Sequence, residues 1–284
     1  MRTPSRLPGR TWIITPSLAI DLFVKAQSCG ASVSMVDLED SIALSRKQEA
    51  RTVIPQFFDL KPASECLLGV RINSPVTCDG ARDLVALAEL SCKPSVVLVP
   101  KVESDRDVEM VAGVLDAEGY RPYIYALIET PRAICRLESI VEADRLSGVI
   151  FGSADYAAAV GCQREWNALL YARCVLVNSA SAAGLPAIDS PYFDLQDTDG
   201  LKREAELARQ LGFLGKVAIH PKQVPVIDEA FVPTEQELAA ARAIIAATDQ
   251  ESDAPITTLD GQMVGPPMAA AARGLVARAD DTAY

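Results

Sequence analysis

The sequence contains a single histidine, His220, in 284 residues. A lone imidazole cannot build a histidine-rich zinc site, so zinc is not the expected metal. Seven cysteines are present without a Cys-x-x-Cys pair, and their odd number favours free thiols in a reducing compartment. Aromatic residues are scarce, at 6%, so alanine and valine must fill much of the core.

Basic residues are also in deficit. The chain has 27 Lys and Arg against 38 Asp and Glu, which gives a net charge of −11. This balance excludes a broad nucleic-acid-binding surface, which needs clustered basic side chains. No stretch approaches the ~20 apolar residues of a membrane span, and the apolar run Trp12–Ile14 is too short for a signal peptide. We expect a soluble, cytoplasmic protein without nucleic-acid or membrane partners.

Eight short apolar runs alternate with longer amphipathic segments, a pattern typical of a parallel sheet covered on both faces. The predicted strands are Trp12–Thr15, Ser34–Glu39, Leu67–Asn73, Ser95–Lys101, Ile124–Thr130, Gly148–Ala154, Pro186–Asp189 and Lys216–His220. Eight strand–helix units over ~220 residues predict an α/β fold, the (β/α)₈ TIM barrel. A doubly wound sheet would carry a glycine-rich turn after its first strand, and Thr15-Pro16-Ser17 stands there instead.

The pattern changes after about residue 221. A helix is predicted over Thr234–Ala247, a polar linker over Asp249–Pro255, and a helical tail after that. We therefore assign residues 1–230 to a catalytic barrel and residues 231–284 to a C-terminal helical extension. The extension is expected to act as a lid over the mouth of its own barrel or of a neighbour's.

Charged residues stand where predicted strands end, which is where a (β/α)₈ barrel places its chemistry. Glu129 and Asp155 end the fifth and sixth strands, and Arg71 lies near the end of the third. Mg²⁺ commonly takes one or two carboxylates and fills its other positions with water and substrate oxygens. The three residues therefore suggest a metal-held anionic substrate. Alternatively, each carboxylate only neutralises the N-terminus of the next helix.

The second strand ends in three acids, Asp37, Glu39 and Asp40. They cannot all face one metal, so we expect them to hold metal-bound water or to orient Arg71 or Lys101. The alternative is a solvated loop. Arg71 lies in an apolar strand, where an unpaired charge is costly. It is expected to pair with a substrate carboxylate or with one of these acids.

Two other residues are candidates for chemistry. His220 is the only imidazole available as a general base, but a structural role or a ligand contact is the favoured interpretation. Lys101 is a Schiff-base candidate. Because Glu103 and Asp105 follow it closely, a salt-bridged lysine is the favoured interpretation.

Eight segments, taken together and in this order, resemble the citrate lyase β-subunit-like and malyl-CoA lyase group of the HpcH/HpaI aldolase superfamily. They are Arg10–Pro16, Val36–Ser41, Val70–Asn73, Val99–Glu103, Ala126–Thr130, Gly152–Asp155, Gly184–Asp189 and Gly212–Pro221. The resemblance implies a (β/α)₈ barrel, a homo-oligomer (a trimer or hexamer) and Mg²⁺, with Mn²⁺ as an alternative. It also implies coenzyme A as part of the substrate.

The resemblance further implies roles for individual residues. Glu129 and Asp155 would ligate the metal. Catalysis would depend on Arg71, Asp37 and Glu39. Substrate contacts are expected from four residues: Arg71, Glu129, Ala154 and, for coenzyme A, Arg10.

The reaction implied is reversible carbon–carbon cleavage of a β-hydroxyacyl-CoA thioester, such as citryl-, malyl- or citramalyl-CoA. The products would be an acyl-CoA and a keto acid or glyoxylate. The tail departs from the family, whose malyl-CoA lyases and malate synthases carry Asp in a Met-Ile/Val-Asp-x-Pro segment. Here the segment reads Met263-Val-Gly265-Pro-Pro267. Alternatives are therefore an aldolase or condensing enzyme acting on a free keto acid, and a complex-bound lyase subunit.

Overall fold

The computed structural model of the protein describes residues 9–60, 66–250 and 256–280. Eight parallel strands, hydrogen-bonded in chain order, close into a barrel, with β8 pairing with β1. The strands are β1 (Thr11–Pro16), β2 (Val33–Asp37), β3 (Leu67–Arg71), β4 (Val96–Val99), β5 (Tyr123–Ile128), β6 (Leu146–Phe151), β7 (Ala187–Asp189) and β8 (Gly215–Ala218). The predicted (β/α)₈ barrel is confirmed.

Helices connect the strands on the outside of the barrel. They are α1 (Phe23–Gln27), α2 (Lys47–Phe58), α3 (Cys78–Glu89), α4 (Asp105–Ala117), α5 (Pro131–Cys135), α6 (Leu137–Val141), α7 (Ser153–Val160), α8 (Trp166–Ala182), α9 (Thr198–Leu211) and α10 (Gln223–Phe231). Short 3₁₀ helices, Ile20–Leu22 and Leu44–Arg46, precede α1 and α2. No helix of the described residues is long and apolar enough to cross a membrane.

Local sequence signals fix the helix that follows β5. Pro131 occupies the first helical position, where its missing N–H costs nothing. Thr130 caps the helix, because its Oγ1 accepts a hydrogen bond from Ala133 N at 3.1 Å. The connection between β5 and β6 contains two short helices, α5 and α6, that meet at Arg136.

Most of the predicted strands extend two or three residues too far at their C-terminal ends. Glu129 lies one residue beyond β5, and Asp155 lies in the first turn of α7. Both residues stand at the barrel mouth, but on the turns that leave the strands. Each strand ends with its apolar residues. The polar residues that follow lie in the loop or turn that leads to the next helix.

The barrel interior is a packed core below that mouth. Trp12 and Tyr125 meet edge to face, with their ring centroids 4.7 Å apart. The other buried members of this interior cluster are Val33, Met35, Val96, Leu98, Leu127, Ile150, Ile188 and Val217. A larger apolar layer lies between the strands and the helices. The chemistry must therefore take place above the interior, at the C-terminal ends of the strands.

The chain divides into two compact units after Phe231. The second unit contains α11 (Glu235–Gln250), an antiparallel hairpin of β9 (Thr257–Leu259) and β10 (Gln262–Val264), and α12 (Pro266–Asp280). The hairpin was not predicted. Asp260 and Gly261 both have positive φ, 49° and 79°, as a tight two-residue hairpin turn requires. The lid function of this unit stays a prediction.

Candidate active site

Glu129 and Asp155 stand at the ends of two neighbouring strands. β5 and β6 pair as far as Ile128 and Phe151, and Gly152 N donates to the Ile128 carbonyl at 2.9 Å. Glu129 is buried, at 3% exposure, whereas the Asp155 side chain is 43% exposed. The two carboxylates therefore lie close together, one embedded and one open to the mouth.

Gly152 makes room for the buried carboxylate. A Cβ atom built on this residue would lie 2.3 Å from Glu129 Cβ and 2.8 Å from Glu129 Oε2. Neither distance is compatible with normal packing. The absence of a side chain at position 152 is thus part of how the sequence places Glu129.

Lys101 follows β4 in a left-handed conformation, with φ of 53°, which is uncommon for a residue with a side chain. Its backbone N–H donates to Glu129 Oε1 at 2.7 Å. Its Nζ donates to Glu39 Oε1 at 2.5 Å and lies 3.5 Å from Asp155 Oδ2 and 3.6 Å from Asp40 Oδ1. One residue therefore contacts both carboxylates of the predicted metal site.

Arg71 is held by two acids of the preceding strand end. Its Nε and Nη2 donate to the two oxygens of Asp37 at 2.6 and 2.7 Å, and Nη1 lies 3.1 Å from Glu39 Oε2. Burial alone would raise the pKa of Asp37, but Arg71 and the Ser41 hydroxyl hold it below its ordinary value. The predicted pairing of Arg71 with these acids is present in the structure.

We call Asp37, Glu39, Asp40, Arg71, Lys101, Glu129 and Asp155 the mouth cluster. It contains five carboxylates and two cations. Burial, followed by the charges of Glu39 and Asp155, raises the pKa of Glu129 to about 8, although Lys101 opposes the shift. Burial also raises the pKa of Glu39. The cluster is therefore short of positive charge.

Within the described residues, no group of three or more His, Cys, Asp or Glu side chains is arranged to hold a metal ion. Glu129 and Asp155 stay the predicted ligands of a hard cation. Two protein carboxylates suffice for Mg²⁺, because water and substrate oxygens complete its coordination.

Two further predicted site residues lie at different ends of the barrel. Ala154 is in the first turn of α7, beside Asp155 at the mouth. Arg10 directly precedes β1, at the N-terminal end of the strands, where it interacts electrostatically with Asp228. The structure does not bring Arg10 together with the mouth cluster. His220, just after β8, accepts a hydrogen bond at Nδ1 from Lys222 N at 3.1 Å.

Two features near the site are not among the predictions made from the sequence. One is the left-handed Lys101 amide, which no local pattern signals. The other is the set of buried polar residues on α2 and α3, including Lys47 and Asp83, which are 5% and 0% exposed. A signal for Asp83 was available, because this acid falls on the buried stripe of an amphipathic helix, among Leu84 and Leu87.

Comparison with known proteins agrees with this architecture. Residues 10–221 match the family described as HpcH/HpaI aldolase/citrate lyase. A citrate lyase subunit beta-like protein of Mycobacterium tuberculosis is 34% identical, over 97% of each chain. The mitochondrial citramalyl-CoA lyase of Rattus norvegicus is 30% identical, over 95% of this chain and 86% of its own length.

A solved structure extends the likeness to three dimensions. The CitE protein of Mycobacterium tuberculosis, crystallised with magnesium, acetoacetate and coenzyme A, superimposes with a TM-score of 0.83. It is 33% identical, and the match covers 96% of this chain and 98% of the CitE chain. This protein is therefore an enzyme of the lyase type and belongs to the HpcH/HpaI aldolase/citrate lyase family.

Proposed function

We propose that this protein is a Mg²⁺-dependent carbon–carbon lyase that cleaves, or in reverse forms, a β-hydroxyacyl-CoA thioester of the citryl-, malyl- or citramalyl-CoA type. The products would be an acyl-CoA and a keto acid or glyoxylate. The observation that carries the proposal is the meeting of two carboxylates, Glu129 and Asp155, with an immobilised guanidinium, Arg71, at one barrel mouth. The relatives named citramalyl-CoA lyase and the CitE complex with magnesium and coenzyme A support it.

The electrostatics of the mouth fit a divalent cation. Five carboxylates face two cations there, and burial, followed by the charge of Glu39, raises the pKa of Glu129 to about 8. Glu39 Oε2 is buried and, although close to Arg71, accepts no well-directed hydrogen bond. We assign Glu129 and Asp155 as the ligands of Mg²⁺, which when bound would polarise substrate oxygens and stabilise the enolate charge of the reaction.

Arg71 would bind the carboxylate of the keto acid. Its guanidinium is fixed by Asp37 and Glu39, so it loses little freedom when a substrate arrives. A fixed positive charge in a partly buried site also favours the developing negative charge of the transition state. We therefore assign Asp37 and Glu39 to catalysis through the orientation of Arg71 and Lys101.

The start of α7 offers a second anion contact. The first backbone N–H groups of a helix have no acceptor within it, and the helix dipole favours negative charge there. Ala154 and Asp155 lie in that first turn. We propose that the Ala154 N–H donates to a substrate carboxylate oxygen, beside the metal held by Asp155.

A second candidate function is an aldolase or condensing reaction on a free keto acid, or a lyase step within a larger complex. The observation that favours it is Gly265, which stands between β10 and α12 where the family's lid aspartate would be. Without that acid, a different group must supply or remove the proton at the acyl carbon. We propose a homo-oligomer in either case, which light scattering on the purified protein tests.

A panel of thioesters separates the two functions. Citryl-, malyl- and citramalyl-CoA are incubated with the protein and Mg²⁺, and the released keto acid is measured by a coupled dehydrogenase. The lyase proposal expects cleavage of at least one thioester and its loss when the metal is chelated. Turnover of a free hydroxy-keto acid with no cleavage of any thioester would overturn it in favour of the aldolase.

A further inference from the structure

A buried lysine lies behind the mouth cluster and holds the loop that carries two of its acids. Lys47, the first residue of α2, is 5% exposed. Its Nζ donates to the carbonyl oxygens of Leu38 at 2.8 Å and of Glu39 at 2.6 Å. No carboxylate of the described residues forms an ion pair with it. Its contacts are with the backbone of the segment that follows β2.

Burying an ammonium that binds only carbonyl oxygens costs desolvation free energy that no opposite charge offsets. What it provides is a fixed orientation for two successive peptide groups, since an ammonium donates in three directions. These peptides lie just past the end of β2, where most of the sheet ladder has stopped. Lys47 thus takes over, for Leu38 and Glu39, the constraint that sheet hydrogen bonds provide within the strand.

The same loop has a second anchor. The Leu38 carbonyl also accepts from Asn73 Nδ2 at 3.0 Å, and Asn73 donates through both N and Nδ2 to Asp83 Oδ2 at 2.7 Å. Asp83 Oδ1 in turn accepts from Arg51 Nη1 at 3.0 Å. This chain of bonds ties the ends of β2 and β3 together from behind. Arg71 is the last residue of β3, so its backbone is set by the same network.

We propose that Lys47 is a positioning residue of the enzyme that acts through Glu39. Because the Glu39 carbonyl is bound toward α2, its buried side chain is held at the mouth, against Lys101 Nζ at 2.5 Å and Arg71 Nη1 at 3.1 Å. Loss of the Lys47 bonds frees the Glu39 carboxylate, and with it the ammonium of Lys101 beside Asp155. The kinetic part of this inference rests on the proposed lyase function.

The first test compares Lys47→Met with Lys47→Arg. The methionine is unbranched and only one atom shorter than lysine, and it removes all donors, whereas the arginine keeps charge and donors. We expect Lys47→Met to lower kcat about 10- to 100-fold, the scale of a small misplacement of a catalytic group, with KM nearly unchanged. Lys47→Arg should recover most of the loss. Lys202→Met, at an exposed lysine paired with Glu229, is the matched control and should leave kcat unchanged.

The second test asks whether Lys47 acts through Glu39. In a Glu39→Gln background, Lys47→Met should cost less than about twofold further, because residues of one network are not additive. An equal loss in both backgrounds would show that Lys47 only stabilises the fold, and the proposal would fall. If Lys47→Met does not fold, Lys47→Gln takes its place in the same cycle.

A crystal structure of Lys47→Met, or of Lys47→Gln, gives a readout that needs no activity. The Glu39 Oε1 to Lys101 Nζ distance should lengthen from 2.5 Å beyond hydrogen-bonding reach. An unchanged distance contradicts the positioning role. If the unmodified protein cleaves no thioester, the proposed function is wrong, and this distance still decides the inference about Lys47.

Discussion

Two clusters of charged side chains differ in the balance of their charges. The wall cluster lies between the last two strands and the helices that cover them, and consists of Arg173, Asp189, Glu204 and Lys216. Its two cations and two carboxylates cancel, whereas the mouth cluster has five carboxylates and two cations. A balanced, closed group of charges needs no ligand. An unbalanced group at an open mouth is completed by a cation.

Burial and bonding in the wall cluster agree with this contrast. Asp189 and Lys216 are both 0% exposed, and Lys216 Nζ donates to Asp189 Oδ2 at 2.6 Å and to Glu204 Oε1 at 2.7 Å. The Arg173 guanidinium lies 4.4 Å from the Trp166 ring centroid and donates to Asp189 Oδ1 at 2.9 Å. Although burial raises the pKa of Asp189, Lys216 and Arg173 hold it below its ordinary value. We therefore expect this cluster to stabilise the fold.

The largest effect is expected in the wall. Lys216→Met leaves buried carboxylates without their partner and should lower the free energy of unfolding by about 3–5 kcal/mol. Urea denaturation followed by circular dichroism measures the change. Lys202→Met serves as the exposed control and should stay close to the unmodified protein. A stability loss below about 1 kcal/mol would show that the wall cluster contributes little to the stability of the fold.

The next largest effect is expected at the mouth, on activity instead of stability. Glu129→Gln should lower kcat about 10²- to 10³-fold, because the site would lose one of the two proposed metal ligands. The protein should be no less stable at neutral pH, since a neutral amide replaces a carboxylate whose pKa burial raises to about 8. Mg²⁺ should raise the melting temperature of the unmodified protein but not of the variant. Full activity in Glu129→Gln would refute the assignment, with Glu109→Gln as the surface control.

Gly152→Ala tests whether the close contact between residue 152 and Glu129 positions the Glu129 carboxylate. The added methyl group would collide with the Glu129 side chain, so we expect about 1–3 kcal/mol of destabilisation together with weakened Mg²⁺ binding. Thermal unfolding and isothermal titration with MgCl₂ measure the two effects. Gly113→Ala is the matched control, because a Cβ there would contact nothing within 4 Å. Equal results for the two variants would mean that the Gly152 contact does not position Glu129.

The smallest effect is expected at Arg10. Because it lies at the opposite end of the barrel from the mouth cluster, Arg10→Ala should change kcat and the KM for the CoA thioester by less than about twofold. Initial-rate kinetics over a range of thioester concentrations measure both. A large rise in KM would instead support the predicted contact of Arg10 with coenzyme A.

The sequence was sufficient to predict the barrel, because few other folds contain eight apolar strands separated by amphipathic helices. It was also sufficient to predict that Glu129, Asp155 and Arg71 lie at the same end of the barrel, since the parallel strands all end there. It did not show that Lys101 adopts a left-handed conformation, or that Gly152 packs on Glu129. Both depend on contacts between segments about 25 residues apart, and no local pattern encodes them.

The hydrogen bond from Gly152 N to the Ile128 carbonyl links the two turns that carry Glu129 and Asp155. The spacing of the two carboxylates is therefore set by the ladder between β5 and β6, two strands in which all residues but one each are buried. Amides in such a ladder exchange with solvent only through openings close to global unfolding. The capacity to hold a cation should consequently vanish in the same transition as the barrel itself, without an earlier melting step of its own.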